Sequence, residues 1–137
     1  MDVQVGTQIA VRVVERVGVA EMKTMAALLQ DPNPIHWDPA STRALGMGER
    51  VVNQGPINMA YVMNALVSWA GDDPSRLRAI TLRFLANVFE GDRVEAGGTV
   101  TGVRDVNGEQ LVDCDVWLDV TGGSRALAGT AVVALPS

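Results

Sequence analysis

The sequence predicts an α+β protein in which an antiparallel sheet wraps around one long buried helix. The helix is predicted from residues 55–70, which contain no charged side chain and are apolar on nearly every face, as is typical of a helix buried on most sides. The sheet is predicted from one alternating segment near the N-terminus and four more in the C-terminal half, separated by turn signals. The order of one strand, then helices, then a meander of four strands is typical of the α+β class.

The N-terminal elements are indicated by apolar spacing. Ile9, Val11 and Val13 alternate with less apolar neighbours, which predicts a half-buried strand. From Ala20 to about Gln30 the apolar residues recur at helical spacing, at Met22, Met25, Ala26 and Leu29.

A proline-rich segment then stops this helix. Asp31 and Asn33 each precede a proline, and a residue in that place is pushed out of the helical region. We therefore expect the chain to leave the helix at Gln30 and to run extended through Ile35. A second, short helix is indicated by Asp38 as N-cap, Pro39 at the first helical position and Gly46 near the end.

The C-terminal half is predicted to be strand and turn. Four alternating runs carry the apolar sets Ile80, Leu82, Phe84, Ala86; Val94, Ala96, Val100, Val103; Val112, Cys114, Val116, Leu118, Val120; and Leu127, Gly129, Ala131, Val133, Leu135. Turns are predicted at Glu90-Gly91-Asp92, Asn107-Gly108 and Gly122-Gly123, of which Asn-Gly is a strong hairpin signal.

Composition narrows the class of protein. The 137 residues, 47% hydrophobic and 20% charged, fit one globular domain spanning 1–137. No apolar run approaches the ~20 residues that cross a bilayer, and Met1–Thr7 lacks a signal-peptide pattern, so we expect a cytoplasmic protein that does not enter a membrane.

Charge and cysteine content exclude further classes. The net charge is −5 with no basic stripe, which argues against nucleic-acid binding. Cys114 is the only cysteine, so an internal disulfide and a thiolate zinc site are excluded, and its apolar phase between two aspartates predicts a core residue.

The chemistry is predicted to lie in Asp31-Pro32-Asn33-Pro34-Ile35-His36. His36 is the only histidine, and the stiff connection can hold its imidazole and the Asp31 carboxylate facing the same space. Histidine titrates near neutrality and suits general acid/base work, and Asn33 can donate to one partner or fix the imidazole tautomer. The same residue types are ordinary turn formers, so a plain loop with one surface histidine is an equal alternative. The ligand set is too thin for a metal, and no cofactor is indicated.

A second candidate feature is Gln54-Gly55-Pro56, which opens the long apolar helix. Pro56 has no N–H, glycine admits a close approach to the backbone, and a helix N-terminus carries partial positive charge. This combination can polarise a carbonyl oxygen as it gains charge, although Gly-Pro is also an ordinary helix start.

Together these residues resemble the MaoC-like hydratase/dehydratase family of hot-dog folds. The resemblance rests on the segment from Asp31 to His36, on Gly46–Gly55 followed by the apolar helix, and on Leu82–Asp92. It implies reversible hydration of trans-2-enoyl thioesters, carried by CoA or an acyl-carrier protein, to (R)-3-hydroxyacyl thioesters. Asp31 and His36 would be the acid/base pair, and the Gly55 N–H would bind the thioester oxygen.

The resemblance also implies a homodimer with the acyl tunnel near its interface, with a heterodimer as the alternative. The family often has His-Gly where Gln54-Gly55 stands here, which puts the shape of the pocket in question. Asn33, Gln54 and Asn58 are the substrate-binding candidates.

Two other functions compete with hydration. A hot-dog thioesterase commonly uses a carboxylate on the central helix, and residues 55–70 contain none. A non-catalytic hot-dog subunit, or a binding module without turnover, would usually lack part of the acid/base pair, whereas this chain has both members.

Overall fold

The computed structural model describes residues 2–136. The strand β1 (Gln8–Val14) is followed by the helices α1 (Val19–Leu29), α2 (Pro39–Ala44) and α3 (Gly55–Trp69), and then by the strands β2 (Leu77–Phe84), β3 (Val94–Val106), β4 (Glu109–Val120) and β5 (Arg125–Ala134). Short 3₁₀ turns cover Pro34–His36 and Pro74–Arg76. The predicted α+β class, with one strand, helices and then four strands, is confirmed.

The five strands form one antiparallel sheet in the order β1-β3-β4-β5-β2. β3 and β4 pair from Val94↔Val120 to Val106↔Glu109, and Asn107-Gly108 turns between them with φ of 53° and 80°. Two successive positive φ values are what a tight hairpin between right-twisted strands needs, which is why Asn-Gly stands there. β1 and β2 form the two edges of the sheet.

The core lies between α3 and the concave face of the sheet. Buried α3 residues pack against buried side chains of the central strands, and these are Ile57, Val62, Ala65, Leu66, Val100, Cys114, Val116, Leu118, Leu127 and Val133. α3 contacts all five strands. The prediction of a sheet around one long buried helix is confirmed, and the fold thereby places the N-terminus of α3 at the end of the sheet where β2 stops.

Cys114 is 1% exposed, so its predicted place in the core is confirmed. Burial raises the pKa of its thiol from 9.0 to about 11, helped by Asp113 and Asp115. The thiol is therefore protonated at neutral pH and poorly nucleophilic.

α1 ends where Pro32 and Pro34 led us to expect its end. The helix stops at Leu29, and Gln30 follows in the left-handed region with φ of 52° and ψ of 41°. The expectation that the chain runs extended through Ile35 was wrong, because Pro34–His36 forms a 3₁₀ turn. A proline constrains the residue before it and not the residues after it, and Pro34 is well suited to begin a turn that the Asn33 side chain caps.

The edge strand β2 also differs from its prediction. The strand ends at Phe84, so Ala86 lies outside it, and Phe84 is 55% exposed instead of facing the core. Alternation alone does not say which strand lies at an edge of the sheet. A side chain on the inner face of an edge strand has fewer neighbours and is therefore less buried.

Candidate active site

Two Asx turns fold the segment that holds Asp31 and His36. Asp31 Oδ1 accepts a hydrogen bond from the Asn33 N–H at 3.0 Å, and Asn33 Oδ1 accepts one from the Ile35 N–H at 3.3 Å. The Asp31 N–H donates to Ala26 O in the last turn of α1 at 3.0 Å. Local hydrogen bonds of this kind are what Asp and Asn provide between proline-limited positions, and here they fold the segment compactly.

His36 is 8% exposed, and the backbone holds its ring. Nδ1 lies 2.6 Å from Val52 O, and the Val52 N–H donates to Ile35 O at 2.8 Å. A carbonyl oxygen only accepts, so this contact assigns the hydrogen to Nδ1 and leaves the lone pair of the neutral ring on Nε2.

Nε2 of His36 faces Asp31 Oδ2 at 3.4 Å. A charge-assisted hydrogen bond is usually 2.7–2.9 Å long, so the two groups are near each other without being tightly joined. The Asp31 side chain is 30% exposed, which keeps it within reach of solvent. The structure thus brings the two predicted residues together, with the Asp31 carboxylate and His36 Nε2 facing each other.

His36 lines a cavity of about 470 Å³ at the start of α3. The other lining residues are Ile35, Val52, Asn53, Gly55, Asn58, Phe84, Leu85, Ala86 and Asn87. Asp31 is not among them and adjoins the cavity through His36. The cavity therefore combines an imidazole, a helix N-terminus and a wall that is partly apolar and partly carboxamide.

Gly55 is the first residue of α3 and is followed by Pro56, which has no N–H. The first N–H groups of a helix have no partner within it, so the Gly55 N–H remains available to a ligand oxygen. A Cβ on residue 55 would lie 2.9 Å from two ring carbons of Phe84. The absence of a side chain thus lets the Phe84 ring pack on the backbone at this point.

Two of the predicted substrate-binding residues do not line the cavity. Asn33 is exposed and its side-chain oxygen caps the 3₁₀ turn. Gln54 is 1% exposed, and its Nε2 donates to Met22 O at 2.7 Å, which ties the start of α3 to α1. Asn58, the third, does line the cavity and is 3% exposed.

Sequence reasoning missed Asn53, Asn87, Phe84 and Leu85 as cavity residues. Asn53 lies at the cavity because its N–H donates to Val88 O at 2.7 Å, which holds the loop before α3 against the segment after β2. For Asn53 the sequence did contain a signal, because a polar residue stands there between Val51-Val52 and a helix start. For Phe84 and Leu85 it contained no such signal, since both residues fit a core strand equally well.

No group of three or more His, Cys, Asp or Glu side chains that would suit a metal ion is found among residues 2–136. Over that same range, none of the helices combines the length and the apolar character required to traverse a bilayer.

Sequence comparison gives consistent matches. The family model described as MaoC like domain matches residues 2–121. The (R)-specific enoyl-CoA hydratase of Aeromonas caviae is 32% identical over 125 residues, which is 91% of each chain.

Solved structures match over nearly the full length. The (R)-hydratase from A. caviae involved in PHA biosynthesis superposes with a TM-score of 0.81 at 30% identity, covering 98% of both chains. The ChsH1-ChsH2 complex from Mycobacterium tuberculosis matches with a TM-score of 0.79 at 21% identity, over 97% of this chain and 98% of that chain. The predicted hot-dog fold is thereby confirmed.

Proposed function

Because the chain belongs to the MaoC-like domain family, we propose that it hydrates trans-2-enoyl thioesters to (R)-3-hydroxyacyl thioesters, or catalyses the reverse dehydration. The observation that carries this proposal is that His36 Nε2 lies 3.4 Å from Asp31 Oδ2, beside a cavity that is also lined by Gly55 at the N-terminus of α3.

The pair can perform both proton transfers of a hydration. It starts with one proton between its two members: the unprotonated member takes a proton from water as the water oxygen bonds to C3, and the protonated member gives its proton to C2. The pair ends with one proton again, so no other acid or base is required. The 2.6 Å contact of Nδ1 with Val52 O keeps Nε2 as the atom that exchanges the proton.

The Gly55 N–H supplies the second part of the mechanism. As water adds to C3, negative charge develops on the thioester oxygen in an enolate-like state. A backbone donor at the positive end of α3 stabilises that oxygen most when its charge is greatest, which is the condition for lowering the barrier.

The composition of α3 supports hydration over thioester hydrolysis. Residues 55–69 contain neither Asp nor Glu, so the helix offers no carboxylate to attack the acyl carbon or to activate water against it. Mixing the purified protein with crotonyl-CoA separates the two reactions. Loss of the enoyl absorbance without release of free thiol is the expected result, and thiol release with retained absorbance contradicts it.

For the assembly, we propose a homodimer in which the second subunit covers the cavity mouth. Phe84 and Leu85 are both more than half exposed beside the cavity at the sheet edge formed by β2. Light scattering on the purified chain is expected to give twice the monomer mass of 14.5 kDa. A monomer that gains activity only with a second hot-dog protein contradicts the homodimer and favours a heterodimer.

A further inference from the structure

Two buried carboxamides on the cavity wall, Asn53 and Asn58, form a polar cluster with the half-buried Tyr61 behind them, and the proposed proton transfers do not use these side chains. Asn53 Nδ2 donates to Asn58 Oδ1 at 2.8 Å and lies 3.4 Å from the Tyr61 hydroxyl. Asn53 and Asn58 are each 3% exposed, and both line the cavity together with His36 and Gly55. We call Asn53, Asn58 and Tyr61 the amide cluster.

The hydrogen bonding of the amide cluster is incomplete. Two carboxamides that face each other can form two reciprocal hydrogen bonds, and here only one is made. Asn53 Oδ1 is buried without a partner, and the hydrogen bonds found within residues 2–136 include none from Asn58 Nδ2. A buried acceptor left unpaired is destabilising, so a bound molecule that pairs with it satisfies the cluster better.

The unpaired groups define the chemistry of that molecule. The cluster offers one acceptor, on Asn53, and one donor, on Asn58. A hydroxyl group both donates and accepts, so it complements the pair, whereas a hydrocarbon chain would cover both groups without bonding to either.

The position of Asn58 on α3 defines where such a hydroxyl lies on a substrate. Asn58 follows Gly55 by three residues, so the two share a face of the helix and are separated by about 4.5 Å along its axis. We take the acyl chain to run along α3 from Gly55 towards Asn58. With the thioester oxygen at the Gly55 N–H, the amide cluster then lies beside the carbons that follow the reacting C2 and C3.

We propose that the amide cluster selects enoyl thioesters whose acyl chain carries a hydroxyl group on C4 or C5. This inference rests on the proposed function, since it takes the thioester to bind at Gly55. It adds a substrate class: the acyl group is oxygenated beyond the double bond and is not a plain alkyl chain.

The test compares trans-2-hexenoyl-CoA with its 4-hydroxy and 5-hydroxy derivatives. For the wild-type chain we expect kcat/KM for one of the hydroxylated substrates to exceed that for the plain substrate by about 10-fold or more, as two neutral hydrogen bonds would give. Asn58→Leu removes the donor and is expected to abolish this preference, so that the hydroxylated and plain substrates have the same kcat/KM. Asn64→Leu makes the same exchange at an exposed position of α3 and is expected to leave the preference unchanged.

Each other outcome has a definite meaning. A wild-type preference for the plain substrate, or the absence of any preference, overturns the selection of a hydroxyl group while leaving hydration intact. An equal loss on all substrates in Asn58→Leu overturns it too, and assigns the cluster to the reacting water or to the fold. Turnover of none of the substrates by the wild type contradicts the proposed function itself. Should Asn58→Leu fail to fold, Tyr61→Phe keeps the ring, removes the hydroxyl that faces Asn53, and is expected to weaken the preference.

Discussion

Nδ1 of His36 lies 2.6 Å from the carbonyl oxygen of Val52, so the imidazole is oriented by the backbone and not by another side chain. The Val52 N–H in turn donates to Ile35 O, which is a second hydrogen bond between the 3₁₀ turn and the loop before α3. Because the acceptor is a main-chain carbonyl, no substitution at residue 52 removes it. The tautomer that the proposed proton transfer needs is therefore specified by the path of the chain.

The acid/base assignment predicts a large loss of activity when either member is removed. We expect Asp31→Ala and His36→Ala each to lower kcat for crotonyl-CoA hydration by at least ~10²-fold, since a general acid or base contributes on that scale. Asp38→Asn is the matched control, because it removes a carboxylate just after this segment while keeping a good N-cap for α2. Near-normal rates in both alanine variants, with circular dichroism showing an intact fold, would falsify the mechanism.

Gly55 and Phe84 are expected to be energetically coupled. A Cβ at residue 55 meets the Phe84 ring at 2.9 Å, so Gly55→Ala should displace the ring and lower the free energy of unfolding by about 1 kcal/mol. In a double-mutant cycle with Phe84→Ala, denaturant unfolding is expected to show a coupling of at least ~0.5 kcal/mol, because the second change removes the group that the methyl contacts. If the effects of the two substitutions on the free energy of unfolding are strictly additive, the contact between residue 55 and the Phe84 ring is contradicted.

Gln54 is expected to act on stability and not on substrate binding. It is 1% exposed and bonded to Met22 O at 2.7 Å, so Gln54→Glu places a carboxylate where no cation compensates it. We expect a loss of about 3 kcal/mol or more at pH 7. The pKa of the new carboxyl is raised by burial, so this loss should shrink as the pH falls and the group becomes protonated. Gln54→Met should leave KM within about twofold of wild type, and a large rise in KM with unchanged stability would place Gln54 in contact with substrate.

The raised pKa of Cys114 predicts that the free energy of unfolding falls at alkaline pH. Its pKa is raised from 9.0 to about 11 in the folded chain, so between these values the unfolded chain loses the proton while the folded chain keeps it. Its contribution to the free energy of unfolding is therefore intact below pH 9 and declines as the pH rises to 11, by about 1.4 kcal/mol for each pH unit in that window.

The comparison with Cys114→Ala isolates this contribution from tyrosine and lysine titration. The difference in stability between wild type and variant should narrow between pH 9 and 11 in denaturant titrations. In the folded wild type, the thiol should also resist a disulfide reagent at pH 8 and react once guanidinium unfolds the chain. Rapid labelling of the folded protein would contradict its burial.

Much of the fold was predictable because its signals are local. Steric exclusion before Pro32 and Pro34 ends α1, the Asn107-Gly108 pair makes a tight hairpin, and an uncharged segment makes α3 the buried helix. The proximity of Asp31 and His36 belongs to the same kind of inference, because a short, proline-stiffened connection joins them, although its Asx turns and 3₁₀ turn were not predicted.

The remaining features depended on contacts between segments far apart in sequence. Phe84 is exposed because β2 pairs only with β5 and lies at an edge, and strand order is not written in the alternation of β2. Gln54 binds α1 because its side-chain amide donates to Met22 O, and Asn53 lies at the cavity because its N–H donates to Val88 O. Sequence by itself thus determined the class of fold and indicated that Asp31 and His36 lie near each other, since both follow from the properties of neighbouring residues. Only the tertiary structure decided which polar side chains face the cavity, since that depends on how a loop, a helix and an edge strand pack against one another.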